Sequence, residues 1–192
     1  MQGPDGENPL VMTKFDPLGV PSAWVRRFAH LVPRGGSVLD VAAGGGRHTR
    51  FFRDRGHAVT ALDLSLDGMA DLVDRAGISL VQADLEARPW PLGAQVFDAV
   101  VVTNYLHRPL LATLVASVAP GGILIYETFA EGQAAIGRPS NPDYLLTPGE
   151  LLQAVDGILS VIAYEHGLDP APRPAARQRI AAVRGGALPR PL

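Results

Sequence analysis

Apolar residues fall in short β-rich runs separated by stretches of helical spacing. The first five runs are Ser37 to Val41, Ala58 to Leu64, Ile78 to Ala83, Phe97 to Thr103 and Gly122 to Phe129, and Arg47 to Arg55, Gly68 to Ala76 and Leu110 to Val118 between them predict helices. Ala99 to Val102 and Ile123 to Tyr126 are almost wholly apolar, as parallel strands covered on both faces require. Glu86 to Gln95 holds Pro89, Pro91 and Gly93 and predicts a loop instead of a helix. Ahead of the first run, Trp24, Phe28 and Leu31 recur at i, i+4 and i+7 behind a Ser22 cap, with Pro33 and Gly35 as the stop. That predicts a short helix covering the sheet.

The last third has a different pattern. A polar, Pro/Gly-rich stretch, Ala130 to Pro142, leads into a helix at about Pro148 to Val155, then runs at Leu159 to Tyr164 and Gln178 to Val183. The linker between those runs carries Pro170, Pro172 and Pro174 and is too helix-poor for a crossover, so the pair is expected to be antiparallel. The whole reads as one α/β domain over 15–186, with a loose arm at 1–14 and a tail at 187–192.

Composition narrows the chemistry. A formal charge of −2 gives no field drawing the molecule to nucleic acid or anionic lipid. The absence of cysteine removes disulfides, thiolate metal sites and cysteine nucleophiles. The start lacks a signal pattern and no long apolar run follows, so a cytoplasmic protein with no membrane span is expected.

The strongest local signal is VLDVAAGGGRHT, Val38 to Thr49, an apolar run entering a glycine turn and then a helix. There bare backbone can approach a ligand. Asp40, Asp63 and Asp84 fall at the carboxyl ends of three successive β-runs, the edge where open α/β sheets bind ligands. A dinucleotide fingerprint wants a glycine where Thr49 stands, and a P-loop wants a lysine where the chain, whose only lysine is Lys14, has none. Asp40 repels a pyrophosphate but tolerates a ligand carrying an ammonium and a sulfonium, which describes S-adenosylmethionine (SAM).

With these motifs the sequence resembles the class I SAM-dependent methyltransferases over about residues 22–185. VLDVAAGGGRHT is similar to their first motif, AVTALDLS to the ribose-binding acid, QADLE to the adenine-side acid and FDAVVVTNYLH to the fourth strand and its loop. Among subgroups it looks most like the small bacterial enzymes related to the tellurite-resistance methyltransferases. The resemblance implies a Rossmann-like three-layer sandwich with a seven-strand, mostly parallel sheet of order 3-2-1-4-5-7-6 and an antiparallel last strand. It implies SAM as cofactor, held by Asp40, Ala42, Gly44, Gly46, Asp63, Leu64, Asp84, Leu85 and Asn104, with no metal. Ala42 stands where many relatives have glycine, an exchange expected to suit a strand end. Trp90 is read either as stacking on adenine or as a packing anchor.

Tyr105, His107, Glu127 and Arg138 are the expected acceptor-side residues. His107 is a candidate base or a cap of the next helix, and Arg138 an anion ligand or a partner of Asp143 or Glu150. Ala130 to Tyr144 is long enough for a lid. Arg47, Arg50 and Arg53 read as a solvated helix face. The expected acceptor is a small molecule, with nucleic acid disfavoured and either a monomer or a homodimer. The rival readings are an RNA or protein methyltransferase and a SAM-binding sensor.

Overall fold

The structure, a computed structural model, describes residues 19–170 and 174–185. The expected arm at 1–14 and tail at 187–192 lie outside them. Strands β1 (Ser37–Val41), β2 (Ala58–Asp63), β3 (Ile78–Gln82), β4 (Phe97–Thr103), β5 (Val118–Phe129), β6 (Ser160–Asp169) and β7 (Ala175–Val183) form one sheet of order β3-β2-β1-β4-β5-β7-β6. β3, β2, β1, β4 and β5 pair in parallel, while β7 runs antiparallel to both β5 and β6.

The unbroken apolar runs are explained by burial on two faces. In β4, Val100 and Val102 join one core with Tyr126, Leu114 and Leu151. Ala99 and Val101 point the other way, into a core with Phe28, Phe52 and Ile123. Helix α1 (Ala23–Phe28) covers that second face as expected. Ser22 Oγ accepts from the Trp24 and Val25 amides, satisfying two N–H groups that the first turn leaves open. Trp24 Nε1 donates to the Ile180 carbonyl at 3.1 Å, so the indole is buried without an orphaned donor. The remaining α-helices are α2 (Arg47–Arg53), α3 (Leu111–Ala116) and α4 (Glu150–Val155), the last tied to β7 by buried Gln178, whose Oε1 accepts from the Leu151 amide.

Several boundaries differ from expectation. Gly68 to Ala76 is not an α-helix: Asp67–Leu72 is 3-10 in character, broken at Met69. Leu66, Met69 and Leu72 pack into one cluster at a spacing of three, the 3-10 period. The third helix is shorter than Leu110 to Val118, because Arg108–Leu110 is a 3-10 turn and Val118 already belongs to β5. β6 and β7 are longer than their apolar runs. The added end of β6, Glu165 to Asp169, is largely polar and pairs with Ala175 to Arg179 of β7, where Asp169 and Glu165 meet Arg177 and Arg179 in cross-strand ion pairs that hydropathy cannot register.

Candidate active site

The chain leaves β1 through a turn in which Ala42, Gly44 and Gly46 all have positive φ, at 51°, 57° and 75°. Asp63, at the end of neighbouring β2, braces this turn: Oδ2 accepts from the Gly44 amide at 2.7 Å and Oδ1 from the Ser65 amide at 3.0 Å. Asp63 is half-buried, and each oxygen keeps a lone pair to spare. Ala42 corrects an expectation, since alanine does not suit this position; left-handed backbone crowds its Cβ by roughly 1–2 kcal/mol. Ala42→Gly is therefore expected to stabilise the protein by about 0.5 to 1 kcal/mol in urea unfolding, part of the relief being lost to glycine's entropy.

Asp40 is 1% exposed and turned toward the helix, where its Oδ2 accepts from Thr49 Oγ1 at 2.7 Å. Its expected contact with the cofactor thus becomes an indirect one, through the turn that Asp40 and Thr49 hold against β1. Thr49, the residue that argued against a dinucleotide site, is the partner this buried acid needs. Burial raises the Asp40 pKa to about 6, the Thr49 bond opposing.

Two side chains of this segment carry roles the sequence pattern did not reveal. His48 Nε2 accepts from the Ser22 amide at 3.1 Å, so the ring is neutral and joins α2 to the start of α1; burial lowers its pKa to about 3. Arg50 is no solvated helix residue: it donates to the Gly45 and Gly68 carbonyls and pairs with Asp71 at 2.5 Å, clamping the turn from outside.

Asp84 follows β3, and its Oδ1 accepts from the Glu86 and Ala87 amides at 3.0 and 2.9 Å, turning the chain sharply. Leu85 is buried beside it, while Leu64 leaves 64% of its surface open at the groove. Tyr105, expected on the acceptor side, lies on this side instead. Burial, then the charges of Glu86, Asp84 and Asp63, raise its pKa. Tyr105 Oη and Trp90 Nε1 are both buried with no hydrogen-bond partner. Two acids at one sheet edge, both close enough to act on Tyr105, suit the ribose hydroxyls and amino group of an adenosine.

The other expected acceptor residues do not converge. Glu127, 6% exposed, faces the α1 side and is bound by Arg179 at 2.9 Å. His107 occupies the cap position of the Arg108–Leu110 turn, but its side chain makes no capping bond. Arg138 is exposed, and Glu150 is paired with Arg108 instead, at 2.7 Å. The 130–144 stretch is braced more than a lid requires. Arg108 donates to the Asp143 and Leu145 carbonyls, and buried Gln133 accepts from the Ala176 amide while donating to the Arg138 carbonyl.

A cavity of about 520 Å³ opens beside these residues, under the start of α1 at the carboxyl ends of β4 and β5. Its walls include Trp24, Arg47, Asn104, Glu127, Arg177 and Arg179. Asn104 has φ 55°, a conformation asparagine tolerates, and its Oδ1 accepts from Arg177 Nη1 at 2.7 Å.

A glycine turn braced by the acid of the next strand, acids at the carboxyl ends of β1, β2 and β3, and β7 antiparallel in a seven-strand sheet are the pattern of the class I SAM-dependent methyltransferase fold. Residues 38–122 match the family model described as a methyltransferase domain. Among proteins of known function, the chain is 42% identical over 102 residues to a malonyl-[acyl-carrier protein] O-methyltransferase of Salmonella typhimurium, covering 50% of this chain and 40% of that protein. The chain spans less than half the length of the curated relatives it matches. Among solved structures, the glycopeptide N-methyltransferase MtfA with S-adenosylhomocysteine is 26% identical with a TM-score of 0.57, covering 84% of this chain and 88% of that one. TehB of Haemophilus influenzae shares the fold at a TM-score of 0.65 and 17% identity, over 84% of this chain and 61% of that one. No helix among the described residues is long and apolar enough to cross a membrane.

Proposed function

We propose that this chain transfers the methyl group of SAM to a small-molecule acceptor or to an acyl group on a carrier. The observation that carries the reading is the braced turn, with Asp63 gripping Gly44 at the carboxyl edge of the sheet, where Asp84 follows the next strand. The curated relatives act on malonyl-[acyl-carrier protein], which favours an acyl acceptor here.

In this reading Asp63 accepts from the ribose hydroxyls with its remaining lone pairs. Asp84 and Tyr105 border the adenine, Leu85 forms the floor and Leu64 is covered on binding. Asp40 acts through Thr49 by holding the turn. Ala42, Gly44 and Gly46 shape the backbone around the methionine portion, and Asn104 stands between the cofactor groove and the cavity. Bound there, SAM supplies a methyl group already activated by its sulfonium for in-line displacement. Positioning by the chain then supplies most of the catalysis, and a general base is optional. His107 and Arg138 are left for contacts at the outer rim.

Thermal unfolding with SAM, S-adenosylhomocysteine, NAD and ATP tests this directly. A ligand at about 100 times its Kd stabilises by roughly 2.7 kcal/mol, a shift of about 5 to 10 °C for a domain of this size. The first two ligands are expected to shift the transition and the last two to leave it in place. A shift with NAD and none with SAM would overturn the reading.

A further inference from the structure

Charge in the cavity under α1 is unevenly satisfied. Its three carboxylates are all paired: Glu127 with Arg179, Glu165 with Arg27 and Arg179, and Asp169 with Arg179. The four arginines of the cavity outnumber these carboxylates: Arg47 is left over, and Arg177 has only the longer pairing with Asp169, which Arg179 shares. Arg47, the first residue of α2, lines the cavity with no hydrogen-bond partner among the described residues. Arg177 stacks on Phe129 at 4.4 Å and donates to neutral Asn104, and its nearest carboxylate, on Asp169, stands 3.6 Å away. Its side chain is 18% exposed.

Arg47, Arg177 and Arg179 sense each other's charge in a part-buried cavity and repel, a repulsion that Glu127 and Asp169 offset only in part because both are already bound by Arg179. An anion between them relieves that repulsion, and a planar carboxylate matches the guanidinium fork. The cavity also lacks an available base among the described residues: its carboxylates are ion-paired, and His48 alongside is neutral with Nε2 engaged. An acceptor that arrives deprotonated suits such a site.

We propose that this cavity is the acceptor site and that Arg177, with Arg47, binds the acceptor through a carboxylate. This rests on the methyltransferase reading above. Arg177 is positioned for the task by its stacking on Phe129 and its bond to Asn104, which lines the same cavity at the end of β4. The methionine carboxylate of the cofactor shares the same chemistry, so the test separates the two sources.

The experiment is calorimetric titration of the protein saturated with S-adenosylhomocysteine, using succinate, glutarate and adipate as probes and their diamides as neutral controls. At least one diacid is expected to bind where its diamide does not. Arg177→Gln should weaken that diacid about ten- to a hundredfold, the loss expected for a charge-assisted contact, with S-adenosylhomocysteine affinity changed less than twofold. Arg47→Gln should act in the same direction and provides the test if Arg177→Gln does not fold. Equal behaviour of diacids and diamides, binding or not, overturns the proposal. So does an arginine substitution that weakens S-adenosylhomocysteine as much as the diacid while sparing 5′-methylthioadenosine, which lacks the carboxylate. A wild-type protein that fails to bind S-adenosylhomocysteine at all overturns the methyltransferase reading itself.

Discussion

Asp63→Ala is expected to lower SAM affinity by about ten- to a hundredfold while leaving a folded protein. The side chain accepts from the Gly44 and Ser65 amides, and each oxygen keeps a lone pair to spare. Removing it deletes a charged acceptor for the ribose hydroxyls, worth about 1.5 to 3 kcal/mol, and loosens the turn. At 1.4 kcal/mol per decade that range gives the stated loss. Calorimetric titration with S-adenosylhomocysteine reads it, with circular dichroism as the check on folding. Asp63→Asn keeps one acceptor for Gly44 without the charge and should fall between the two. Unchanged affinity in folded Asp63→Ala would show that the ribose is held elsewhere.

The second large effect concerns pH. Asp40 and His48, both buried in and behind the glycine turn, have pKa values moved in directions that oppose each other in the stability balance. Between about pH 4 and 6 the folded protein holds a proton on Asp40 that the unfolded chain has released, so this residue makes stability fall as pH rises. Over the same interval the unfolded chain protonates His48 while the fold keeps it neutral, so that residue makes stability rise with pH. The contributions of this pair cancel in the wild type. Asp40→Asn leaves the histidine alone, and its stability relative to wild type should increase by about 2.5 kcal/mol from pH 4 to 6, one proton over two pH units. His48→Gln leaves the acid alone, and its relative stability should decrease by a similar amount over that interval. Urea titrations at several pH values measure both. Differences from wild type that are flat with pH would show that neither group has the shifted pKa. Below pH 4 only His48 still opposes folding, so wild-type stability should drop there, as its pKa near 3 requires.

What could be read from the order of residues was whatever depends on local periodicity and on a motif's place along the chain. The seven strands, their order and the antiparallel β7 follow from apolar runs, linkers too poor in helix for a crossover, and the resemblance carried by the motifs. Asp63 and Asp84 were legible because strand ends in a parallel sheet converge on one edge. Pairings between distant positions were not legible. Thr49 looked like a missing glycine until β1 and α2 packed together and made it the partner of Asp40. Arg177 sat in a stretch read as linker. Pairing with β6 extends β7 back to Ala175 and brings Arg177 within reach of Asn104, far off in sequence. Tyr105, Glu127 and Arg138 were grouped because all follow β4 or β5. The pleat sends Glu127 to the α1 face, Tyr105 turns toward Asp84 and Asp63, and Arg138 stays exposed. Proximity along the chain locates a sheet edge; which face a side chain takes, and which charge is left without a partner there, is settled only when the strands are laid side by side.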